Sequence, residues 1–169
     1  IKTVEGWMEA IPRHTQAQSV RANMAFAWMY MMRQLTPRVL PYVERLRAIF
    51  AAGDPGAVDG PALEAEWLAL QAMVSNAENS PAEGLALAQR ALAVVPEPAH
   101  VVRCLIHLAV ARAGQQLNDT AIAQDAFRQV VEHGRLAANP VFELLGYAGL
   151  TALAAGCGRL HQAFDLASQ

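Results

Sequence analysis

Cysteine is almost missing from this chain: Cys104 and Cys157 are its only two in 169 residues, they stand in no paired motif, and a disulfide scaffold is thereby excluded. Such sparing cysteine use suits a reducing compartment, so a cytoplasmic location is expected. Positive charge is also short. Thirteen Lys and Arg against fifteen Asp and Glu leave a net charge of −2, with the basic residues scattered, so no nucleic-acid interface is expected. The longest apolar run, Met24 to Met32, is about half of what a membrane-spanning helix needs, so no membrane contact is expected either. No secretory leader is visible, and the start at Ile1 and the end inside a helical pattern suggest a piece of a longer protein. There is no G-x-x-x-x-G-K-[ST] loop, no G-x-S-x-G or S-x-x-K around any serine, and no cofactor motif. The carboxylates are spread along outward stripes, so an enzyme is not expected.

What the chain does have is apolar residue, 54 % of the total, with abundant Ala and modest aromatic content. That composition favours closely packed helices and an all-α fold. The organising stretch is Ala62 to Pro96, which reads as two helices broken at Asn79-Ser80-Pro81. In its second helix Gly84, Ala88 and Ala91 share a face that lets a partner helix approach closely, while Leu85 and Leu92 fill the space between. A lone hairpin cannot bury both apolar faces, so copies should stack.

The rest of the chain repeats this plan. A single domain over 1–169 is predicted, with a lead-in helix at about 4–12 and hairpins at about 16–53, 61–96, 98–134 and 139–169. Thr15 is the expected N-cap of the first long helix, whose inner face carries Val20, Met24, Trp28, Met31 and Leu35. Thr36-Pro37 turns the chain, and Pro41 is expected in the first turn of the next helix, beside a stripe of Val39, Val43, Leu46 and Phe50. Residues 53–61, with three Gly and two Pro, form a loop. Asp119 or Asn118 caps the second helix of the third pair. Aligning Thr36, Asn79, Asn118 and Gly158 gives a period of roughly 40 residues. Five residues beyond each lie Pro41, Gly84, Ala123 and Ala163, three of them small enough for close packing. Together these features predict a right-handed superhelical stack of about four helical hairpins.

Trp7-Met8-Glu9-Ala10-Ile11-Pro12 ahead of an Ala-rich helix resembles the "W-L-x-x-L-P" opening of the tetratricopeptide-like region in large, ATP-dependent LuxR-type regulators, the MalT-like activators. The stretches Ala82 to Leu92 and Gly158 to Phe164 are similar to that family's second helices. The resemblance implies a cytoplasmic sensor region between a nucleotide-hydrolysing module and a C-terminal helix-turn-helix. Its partners would be a small inducer or a regulatory protein, together with the other domains of the regulator.

In stacked hairpins the first helices line the inner wall. Counting back from the turns, that wall is predicted to receive Asn23, Phe26, Tyr30 and Arg33 from the first pair, Glu66, Met73 and Asn76 from the second, and Arg112 and Gln115 from the third. The fourth supplies Leu145, Ala148, Ala152 and Ala155. Aromatic rings beside guanidinium and amide donors suit a sugar or a peptide carboxylate. His100, Cys104 and His107 would share one helix face, but they lack a fourth ligand and a second chain segment, so no metal is expected. Trp7, Trp28 and Trp67 read as core. The alternative to a sensor is a scaffold for self-association or peptide binding, possible as a homodimer through Leu160, Phe164 and Leu166.

Overall fold

The computed structural model describes residues 6, 10–12, 19–52 and 60–168. Within them the chain is all-helical, with no strand. Eight helices have described bounds: α1 (Val20–Met32), α2 (Thr36–Ala51), α3 (Gly60–Ala77), α4 (Pro81–Val94), α5 (His100–Gln116), α6 (Thr120–Leu136), α7 (Pro140–Gly156) and α8 (Leu160–Ala167). None is long and apolar enough to cross a membrane. Packing divides the chain into two compact units after Gly60. The expected lead-in helix at 4–12 falls largely outside the described residues, as do Thr15, Trp7 and most of the 53–61 loop.

In the first unit, α1 packs against α2. Ser19 caps α1, its hydroxyl accepting from the Ala22 amide at 3.2 Å. Met24, Trp28 and Met31 are buried as the periodicity requires, and Val39, Val43 and Leu46 meet them as a stripe on α2. Two local readings need correction. The turn lies at Gln34 (φ 58°), two residues before Thr36, and Thr36 and Pro37 open α2, where a missing amide is harmless. Pro41 therefore sits in the second turn of α2, where it removes one helical hydrogen bond. The position five residues beyond the true turn is Val39, which is fully buried.

In the second unit one turn recurs. At Asn118 (φ 57°) the amide bonds to Gln115 O at 3.2 Å, and the Asp119 amide reaches back to Gly114 O at 2.9 Å. This paired closure of a helix end needs one residue in the left-handed region. The same pair of bonds recurs at Asn79, Ala138 and Gly158, and in the first unit at Gln34. The α4–α5 connection differs: Val95, extended at φ −66° and ψ 128°, leads into Pro96-Glu97-Pro98. Asn118 and Gly158 are 40 residues apart, and Ala138 lies midway. Thus α5/α6 and α7/α8 share one register, with His100 answering to Pro140 and Thr120 to Leu160.

Consecutive helices pack through small residues. A Cβ on Gly84 would collide with the Asn76 side chain and lie 2.9 Å from Ala72 O, so α3 and α4 run in close contact. Gly114 meets the Ala123 backbone and Gly134 the Glu143 backbone in the same way, joining α5 to α6 and α6 to α7. Phe127, Val131, Ala126, Ala111 and Leu150 form a core between α5, α6 and α7. Fully buried Asn76 ties α3 to α5: its Nδ2 donates to Ala109 O at 2.9 Å, and its carbonyl accepts from Gln116 Nε2 at 2.8 Å.

Candidate functional site

The turn that closes α5 also shapes a groove. Asn118 in the left-handed conformation swings the chain over, Asp119 caps α6 by accepting from the Ile122 amide at 3.0 Å, and Gly114 lets α6 approach closely. Across from this corner stand the last two turns of α7. Between them lies a cavity of about 300 Å3, lined on one side by Gln115, Asn118 and Thr120 and on the other by Ala152, Leu153 and Cys157. Two amides and a hydroxyl offer donors and acceptors, and the α7 side is low and apolar. Arg112 is exposed three residues before Gln115, on the same helix face, and adds a cation.

Of the residues expected on the inner wall, Gln115 lines this groove and Arg112 neighbours it. Ala148, Ala152 and Ala155 are exposed on α7. The others do not line the groove. Asn23, Phe26 and Tyr30 are buried in the first unit. Asn23 Nδ2 donates to Ser19 O at 2.8 Å, and Phe26 and Tyr30 stack on Tyr42 at centroid distances of 5.0 and 5.8 Å. Arg33 is exposed at the end of α1, Glu66 and Met73 are half-buried on α3, and Asn76 is the interior tie described above. Asn118 was legible only as a turn and cap residue, and Thr120 was not singled out; the signal that could have found both was the turn itself.

A larger cleft of about 630 Å3 lies beside α7, bounded by Glu143, Leu144, Tyr147, Thr151 and Leu166. The equivalent position one register earlier has different surroundings. Cys104, the counterpart of Leu144, faces Val130 on α6. Cys104 is accordingly fully buried and Leu144 is 69 % exposed. Leu160 and Phe164, the self-association candidates, are 68 % and 74 % exposed, and Leu166 packs partly on the core.

The His100, Cys104, His107 face is resolved differently from a metal site. Cys104 points its thiol at Val130 O, 3.7 Å away, and burial pushes its pKa up to about 11. The third partner of the two histidines is His133 from α6. His133 stacks between them, its centroid 5.5 Å from His100 and 5.6 Å from His107, with the Nδ1 atoms of His100 and His133 3.3 Å apart. Burial first, then His133 and Arg103, hold the His107 pKa down to about 4. His133 is lowered as well, by burial and then by Arg103 and His100. Among the described residues no group of three or more His, Cys, Asp and Glu is placed to hold a metal ion. No family model matches the chain, and no curated protein or solved structure matches it.

Proposed function

We propose that the chain is a binding module, a right-handed superhelical stack of helical hairpins that senses a carboxylate-bearing small molecule or peptide in the groove between the end of α5 and the end of α7. The observation that carries this reading is the convergence of Gln115, Asn118 and Thr120 on a cavity of about 300 Å3, with exposed Arg112 on the same helix face. A cavity of that size sits at the small end of ligand sites, and a guanidinium beside amide donors recognises a carboxylate by charge and geometry together. The likeness to the sensor region of MalT-like, LuxR-type regulators supports a role in transcription regulation, with the ligand an inducer or a segment of a regulatory protein.

Thermal unfolding against a panel of amino acids, short peptides, sugars and nucleotides tests this. A ligand at about 100 times its Kd should raise the midpoint by about 5–10 °C. In Ala152→Trp, where an indole fills the groove, the shift should vanish, and Arg112→Ala should reduce it for carboxylates alone. No shift with any compound class, or a shift that Ala152→Trp leaves intact, overturns the assignment.

A further inference from the structure

The three histidines between α5 and α6 form a column at the end of the hairpin opposite the groove. His100 and His107 lie seven apart on α5, two turns of one face, and His133 enters between them from the last turn of α6. The Nδ1 atoms of His100 and His133 face each other at 3.3 Å, so one ring must donate and the other must accept. An imidazolium has no acceptor nitrogen. While that bond persists the pair can therefore take up at most one added proton, and His107 stacks on one of its members, His133.

The charges around the column are fixed. On α5, Arg103 is pinned with its guanidinium against the end of α4: Nη2 donates to Val95 O at 3.2 Å and Nε to Pro96 O at 3.4 Å. It cannot swing away from an incoming proton without abandoning the carbonyls at a helix C-terminus that hold it. Cys104 on the same helix is a neutral, buried thiol. Opposing charges come from Asp125 and Glu132 on α6 and Glu97 in the α4–α5 connection, and their attraction is outweighed by burial and by Arg103.

We propose that the His100, His133, His107 column is an acid-sensitive latch, which holds α5 against α6 while its rings are neutral and releases that pairing as it takes up protons. The sign follows from the lowered histidines. An unfolded chain binds these protons near pH 6.5 and the folded one only near pH 4 at His107, so protons favour opening. Stability is complete above about pH 6.5 and declines as pH falls from there toward 4. Stacked neutral rings lose little by this arrangement at neutral pH, and the loosened pair regains its contacts when the pH is restored.

The test uses the whole chain. Between pH 7.5 and 5.0 the thermal midpoint should fall by about 4–8 °C, reversibly, as His107 alone implies from its shift. In His107→Phe with His133→Asn, which keeps an apolar ring in the stack and an amide facing His100, the difference should shrink to about 2 °C or less. If the double variant does not fold, the Cε1–H resonances of the unaltered protein decide. His107 staying neutral below pH 5 supports the latch. A midpoint indifferent to pH over this range, an undiminished fall in the double variant, or titration of both His107 and His133 near pH 6.5 overturns it.

Discussion

Gly114 and Gly156 belong to first helices of neighbouring pairs, yet they answer to opposite forces. A Cβ on Gly114 would stand 2.8 Å from the Ala123 nitrogen and 3.2 Å from its Cα, backbone atoms that can yield only if α6 moves. At Gly156 nothing lies within 4 Å. Gly114→Ala is therefore expected to cost about 1–2 kcal/mol net, overpacking exceeding the gain in helix propensity. Gly156→Ala, at the last residue of α7, should gain up to about 1 kcal/mol. Urea unfolding of both variants checks the pair, and equal effects would mean that helix contact at Gly114 is looser than its geometry implies. The buried polar residues show the same local logic. Asn76 and Gln116 share one hydrogen bond between α3 and α5, while Asn76 Oδ1 and Gln116 Oε1 have no partner in the interior. They join hairpins at the expense of two unsatisfied acceptors.

Helix ends carry most of what distinguishes these elements from one another. Asn79, Asn118 and Gly158 are residues that tolerate the left-handed conformation, but Ala138 adopts it at φ 49° between α6 and α7. An L residue with a Cβ loses about 1–2 kcal/mol there, and glycine returns part of that through its freer unfolded chain. Ala138→Gly should then stabilise by about 0.5–1 kcal/mol, read as a higher urea midpoint. The sequence made the helical character legible because its punctuation is chemical: Asn-Ser-Pro, Asn-Asp and Gly-Cys-Gly each mark a break, and each falls at a boundary between two helices. Where the punctuation misled, an ordinary residue had taken the special role. Gln34 made the turn, so Thr36-Pro37 became a helix start. The inner wall was harder to read, since helical spacing fixes a stripe but not what covers it. Asn23, Phe26 and Tyr30 look like donors and rings for a ligand, and they are interior contacts. His133 was invisible because its partners lie 26 and 33 residues away, on another helix.

Across the second unit the 40-residue register puts equivalent positions of α5/α6 and α7/α8 in unequal surroundings. Leu144, Val141, Leu160 and Phe164 are each more than 60 % exposed, whereas Cys104 is shut away beneath α6. The cleft beside α7 is lined largely by apolar side chains, Leu144 and Leu166 among them. Its consequence is optical. An apolar fluorescent dye such as anilinonaphthalene sulfonate should light up on the native protein at neutral pH, under conditions where the helices are intact and unfolding is cooperative. Such a signal is ordinarily taken to mean a molten globule. Here Leu144→Glu should dim it without altering the helical circular dichroism, and brightness in this protein would measure the open apolar cleft beside α7.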